Sequence, residues 1–194
     1  MRVAIALLLV AGSEWADAPV NARAQALQVF GERVVTYAEL HKKLAATLPP
    51  LPEKAEPVQI AAHKTALAKA IRASRSQARQ GEILVPEVVP VFLEVLRSDL
   101  AGAKGRDARE TIKDGNPREE KPKARAGEPT PKPVVLVANA PYPDGAPLST
   151  VPPDLLAKLP KLPEPLEYRF VGGHLILHDS QASLVVDFLK EIVG

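Results

Sequence analysis

The chain of 194 residues has no cysteine. That excludes disulfides, thiol catalysis, cysteine-type zinc sites and lipid attachment at a cysteine. Aromatic residues make up only 4%, so a core has to be aliphatic, built from Leu, Val, Ile and Ala. The formal net charge is only +2, and so small an excess argues against nucleic acid as a partner. No apolar run reaches the roughly 20 residues that a membrane-spanning helix needs. Chemical signatures are missing too. There is no Walker loop, no G-x-S-x-G elbow and no H-E-x-x-H, and Gly102-Ala-Lys-Gly105 is not a dinucleotide fingerprint. With none of these, the sequence leans away from an enzyme.

What is present starts at the N-terminus. Met1-Arg2 is positive, and Val3 to Ala11 form an uninterrupted apolar run. This is the n-region and h-region pattern of a secretory signal peptide. Ala16-Asp17-Ala18 offers a small-residue cleavage site, but Pro19 follows it. Ala22-Arg23-Ala24 fits better, which predicts a signal peptide over 1–24. The mature chain is then periplasmic or secreted and does not span a membrane.

Three amphipathic helices are expected next. Leu27, Phe30, Val34, Tyr37, His41, Leu44 and Leu48 recur at alternating three- and four-residue steps, which is one helix face. Pro49-Pro50 stops that helix. Pro57 suits the first turn of a second one, with Ile60, His63, Leu67 and Ile71 inward. Arg72, Arg75 and Arg79 load its end with positive charge, which complements the helix dipole. A third helix runs from Pro86 to Leu100, with Pro90 a possible kink and Gly102 its stop. A short helix over 106–114 follows. Residues 116–133 are charged and Pro-rich with no apolar face, the composition of a disordered linker. After it come a strand at Val134 to Ala138, a helical turn or two from Pro152 to Leu159, and three more β features. These are the strand Glu167 to Val171, the turn Gly172-Gly173 with strand Leu175 to His178, and the strand Leu184 to Phe188. Gly-Gly between two apolar runs is a hairpin signal. The expectation is an α+β chain: an N-terminal three-helix antiparallel unit (25–115), a linker (116–133) and a small C-terminal antiparallel sheet with a short helix (134–194).

Leu40-His-Lys-Lys-Leu44, Leu48-Pro-Pro-Leu51, Ala66-Leu-Ala68 with Ile71-Arg72, and Leu166-Glu-Tyr-Arg-Phe-Val-Gly172 with Leu175-Ile-Leu177 resemble a group of uncharacterised exported bacterial proteins. The resemblance implies no activity. The final hairpin more loosely resembles that of RcnB-type periplasmic proteins, which are linked to nickel and cobalt homeostasis.

Four histidines are the metal candidates. His174 and His178 share one strand face but sit roughly 13 Å apart at about 3.3 Å per residue, too far for one ion. They read as exposed hairpin residues. His178, Asp179 and Ser180 are adjacent and diverge around a turn, so they make no triad. His41 and His63 are equidistant from Pro52. In a symmetric helical hairpin they meet at one level, where Glu94 or Asp99 from the third helix completes a site for a divalent transition metal. The plainer alternative is a hydrogen-bonded pair in a polar notch. The arginine row suits either a solvated helix face or an anionic surface. The leading expectation is an exported, non-enzymatic binding or structural module whose partner is an envelope protein or polymer, with a strand edge near Val134 to Ala138 open to a partner strand. The alternative is a periplasmic protein holding divalent metal on His41 and His63.

Overall fold

The structure, a computed structural model, describes residues 21–114, 134–143, 145–146 and 148–192. The apolar leader and the 116–133 linker of the sequence expectation lie outside these residues. Helix α1 spans Ala22–Ala45, three residues earlier at each end than the apolar rhythm predicts. Asn21 starts it by accepting from Arg23 N at 3.1 Å, as an N-cap side chain does. Its buried positions are Ala26, Phe30, Val34, Tyr37 and His41, the face that the spacing marks out. Helix α2, Pro57–Ser74, opens with a capping box in which Gln59 Oε1 accepts from Glu56 N at 2.8 Å. It buries only Leu67, Ala68 and Ile71.

Helix α3 is Val89–Leu100. Pro90 sits in its first turn, where the missing N–H would have no helical partner, so it starts the helix and does not kink it. Gly102 ends α3 with φ +68° and begins α4, Gly102–Asp114, a longer helix than the sequence suggests.

A five-stranded antiparallel sheet follows, in the order β1-β5-β4-β3-β2. The members are β1 Ala140–Pro141, β2 Ser149–Thr150, β3 Leu166–Val171, β4 His174–Asp179 and β5 Leu184–Leu189, with a one-turn helix α5, Pro153–Leu156, between β2 and β3. Gly172 and Gly173 join β3 to β4 at φ 54° and 82°, the positive values a two-residue hairpin turn requires. Asn139, also at positive φ, moves the expected first strand. Val134 to Val137 join no ladder, and Ala140–Pro141 makes the pairing with β5. Val134, Leu136 and Ala138 instead pack over the second sheet face, on Tyr142, Val171, Ile176, Val185 and Phe188.

The helices cover the first face. One buried cluster runs from Phe30, Leu67, Ile71, Phe92 and Leu96 into Phe170, Leu175, Leu177 and Val186. Phe92 links the layers, with ring centroids 5.2 Å from Phe30 and 6.0 Å from Tyr168. The two units expected from the sequence therefore share one core. The reason is physical: a three-stranded meander with an apolar face on each side needs a cover on both.

Candidate functional site

Two buried carboxyl groups join helices to sheet. Asp179, at the end of β4, has no solvent exposure. Its Oδ1 accepts from Gln181 N at 2.9 Å and Ala182 N at 2.8 Å, which closes the turn into β5. Its Oδ2 accepts from the Tyr37 hydroxyl at 2.7 Å and lies 3.5 Å from His41 Nε2. Burial, then the Asp179 charge and this hydrogen bond, push the Tyr37 phenol far above its usual range, with Arg75 opposing. His41 moves down, because burial of its ring outweighs the attraction of Asp179. Its Nε2 has no hydrogen-bond partner among the described residues.

Asp187, equally buried in β5, holds the loop that follows α2. Its Oδ1 accepts from Gly81 N and Phe188 N at 2.9 and 2.8 Å, and its Oδ2 from Ile83 N and Leu84 N, both at 2.9 Å. Four backbone donors on one carboxyl group make this a structural clamp, with no acceptor capacity left over for a ligand.

The arginine row does not behave as one surface. Arg72 and Arg79 are exposed, but Arg75 is buried. It follows the last turn of α2, stacks over the Tyr37 ring at 5.1 Å and reaches Glu82 Oε2 at 3.4 Å. Asn139 Nδ2 donates to Arg75 O at 2.8 Å, which satisfies a carbonyl at that helix end.

The Arg75–Tyr37 contact also sets the register of the hairpin, and Arg33 donating to Glu82 O at 2.6 Å agrees with it. One turn on from Tyr37 is His41, and one turn back from Arg75 is Ile71. His63 lies eight residues further toward the loop, about 12 Å along the helix at about 1.5 Å per residue. The register that this contact implies sets His41 level with Ile71, and His41 Nε2 lies 3.5 Å from Asp179 Oδ2. Asp99 pairs with Lys158, which takes that carboxylate elsewhere, and Glu94 pairs with Arg23, a residue that cleavage after Ala24 would remove. Among the described residues no group of three or more His, Asp or Glu has the geometry to hold a metal ion.

On the second sheet face, His178 is buried, not exposed as the sequence suggests. Its Nδ1 lies 2.9 Å from Glu167 Oε1, directly across the β3–β4 ladder, and Arg169 donates to the same carboxylate at 2.7 Å. Burial raises the Glu167 carboxyl, but the hydrogen bonds from Arg169 and His178 outweigh it, and the net movement is downward. His174 is half-buried, and its Nδ1 accepts from Glu191 N at 2.8 Å. Alternation sends Asp179 to the helices and His178 to the opposite face, so the adjacent pair diverges.

A groove of about 750 Å³ follows the outer edge of β3. Leu166, Glu167, Tyr168 and Arg169 line it in succession. Because successive strand residues point to opposite faces, four in a row mean that the groove follows the strand edge. It exists because β2 pairs only with Arg169 and Phe170, after which the chain leaves for α5. Val151, Leu156, Leu159 and Leu162 form its other wall, and Lys161 stands exposed beside them. The Tyr168 hydroxyl donates to Pro160 O at 3.0 Å and pins the two walls together. The sequence signal for this groove is only the Pro-spaced apolar stretch of 151–165. Comparison with known protein families, with curated proteins and with solved structures finds no match.

Proposed function

We propose that the protein is an exported, non-enzymatic binding or structural module of the cell envelope. The reading rests on the groove along β3. Its volume lies within the roughly 300–1,000 Å³ of ligand-sized clefts, and its walls are mainly apolar with a few charged groups at hand, the usual make-up of a recognition site. The buried polar groups are sealed inside the protein and hold it together. The segment before β1 adds a second contact: Val135 and Val137 are 82% and 54% exposed on chain that pairs with no strand, so a partner strand can align there. Export is proposed from the positively charged N-terminus and the Val3 to Ala11 run.

A photoreactive residue at Leu156, 48% exposed in the groove wall, tests the binding reading in intact cell envelopes. A defined adduct is expected there and none at Lys190, on the opposite side of the sheet. Equal labelling at both positions, or at neither, rejects the groove. Recovery of the unprocessed chain in the cytoplasm rejects export. The second reading, divalent-metal binding, draws on the unpartnered Nε2 of His41. It requires bound metal in the purified protein that disappears in His41→Ala.

A further inference from the structure

The small net charge conceals a segregation. The whole chain carries +2, but residues 22–81 hold ten Lys and Arg against four Glu, a net of +6. From Pro57 to Gly81 there is no acidic residue at all. These residues are α1, α2 and the connections that follow each. Lys42 and Lys43 occupy the last turn of α1, Lys54 lies in the loop, and Lys69 and Arg72 lie along α2; all five are exposed. Of the four acids, Glu56 is engaged in the capping box that starts α2 and Glu32 accepts from Gln28, while Glu39 and Glu53 are exposed and offset part of the positive charge.

Exposed aliphatic side chains lie along the same end of the hairpin, Val58 and Ile60 on different sides of the first turn of α2. Leu51, Val58 and Ile60 are 41%, 73% and 49% exposed, within ten residues at the closed end of the hairpin. Ile60 lies on the same helical stripe as Leu67 and Ile71, which are buried. The apolar stripe of α2 therefore runs past the edge of the core into solvent.

We propose that the closed end of the α1–α2 hairpin docks on an anionic lipid bilayer, with Leu51, Val58 and Ile60 entering the headgroup boundary and Lys42, Lys43 and Lys54 facing lipid phosphates. Aliphatic side chains beside cations are the combination that interfacial binding uses. A single-stranded nucleic acid would call for exposed rings to stack on its bases, but Phe30 and Tyr37, the rings of this hairpin, are buried. A soluble polyanion would use the lysines and leave the three aliphatic residues without a role. No helix among the described residues is long and apolar enough to cross a membrane, so the contact is at the surface. The inference goes beyond the groove reading and shares no residue with it.

Vesicle co-sedimentation of the full chain tests it. Every form carries Leu7→Glu and Leu8→Glu, so that the Val3 to Ala11 run does not itself insert. Binding is expected to vesicles of mixed phosphatidylglycerol and phosphatidylcholine, to weaken as salt is raised, and to be absent with phosphatidylcholine alone. A lysine close to an anionic surface changes partitioning about fivefold, so K42Q/K43Q should weaken binding about 25-fold. Val58→Asp should weaken it at least about tenfold, with thermal unfolding unchanged because the site is exposed. Lys190→Gln, the loss of one cation elsewhere, should change nothing. Equal binding to neutral vesicles, or full binding by K42Q/K43Q, overturns the proposal. So does tighter binding to dextran sulfate that ignores Val58→Asp, which would assign the surface to a soluble polymer.

Discussion

Asp187→Asn changes one atom of a fully buried side chain, and its effect can be worked from the four bonds that the carboxyl group accepts. The amide keeps one oxygen, which can retain two of the donors. The other two then face an NH2 group with no acceptor. Keeping Oδ1 on Gly81 and Phe188 orphans Ile83 N and Leu84 N. A buried donor left without a partner costs about 1–3 kcal/mol, so the pair costs about 2–6, with about 4 as the central value. That is a large part of the roughly 5–15 kcal/mol that holds a typical domain. In a chain of this size it lowers Tm by about 8–16 °C, at about 2–4 °C per kcal/mol. Urea denaturation should show a lower midpoint at unchanged slope. Amide exchange should accelerate at Ile83 and Leu84 by more than the global loss accounts for, because the loop opens locally. Gln80→Ala is the control: Gln80 sits in the same loop and donates to Phe188 O at 3.2 Å from an exposed position, so it should cost less than about 1 kcal/mol. A loss below about 1 kcal/mol in Asp187→Asn, with exchange at Ile83 and Leu84 unchanged, refutes the clamp.

Tyr37→Phe removes the hydroxyl bonded to Asp179 and should destabilise by about 1.5–3 kcal/mol, read from the urea midpoint; a neutral result means that the bond contributes nothing. His41 has a folded pKa below its unfolded 6.5, so the unfolded chain binds the extra proton first. Stability should be flat above about pH 6.5 and fall as pH drops from there toward the lower folded value. His174 shifts in the same direction, with burial as its main cause, so the slope is compared in His41→Gln and His174→Gln; a slope unaltered by His41→Gln contradicts the assignment. Leu156→Asp should leave stability within about 0.5 kcal/mol, as an exposed substitution does, and abolish capture by a photoreactive residue placed at Lys161, which also lines the groove; unchanged capture places the partner elsewhere. Mass analysis of the protein from the cell envelope should find Gln25 as its first residue, and an intact Met1 contradicts processing.

The parts legible in the sequence are those whose cause is local. Phe30, Val34, Tyr37 and His41 mark the buried face of α1 because a helix repeats every 3.6 residues whatever it packs on. Gly172-Gly173 marks the hairpin because two positive φ values in succession demand glycine. The candidate site had no such signal. Asp187 lies in a strand reading LVVDF, and nothing near it in sequence announces the Gly81, Ile83 and Leu84 amides more than 100 positions away. Asp179 reads as a turn former, which it is through Oδ1, while its second oxygen serves Tyr37, 142 positions distant. The midpoint of the α1–α2 loop predicts one register of the hairpin. Arg75 stacking on Tyr37 implies another, in which His41 stands level with Ile71.

A cysteine-free chain with few aromatic rings has to join its helices to its sheet by other means. Apolar burial supplies most of the attraction, but it is non-directional and would tolerate sliding of one layer over the other. The two buried carboxyl groups do not tolerate it. Asp179 accepts from a hydroxyl on α1, and Asp187 accepts from three amides in the loop after α2, so any slip strands donors away from water. They stand at the two ends of one relation, since Tyr37 carries Arg75 on its ring and Arg75 begins the run of chain that ends at the Asp187 clamp. Both fix the same hairpin at its inner end. The closed end, with Leu51, Val58 and Ile60, stands free of that grip, which is the arrangement a surface contact needs: one end rigidly held, the other presented to solvent.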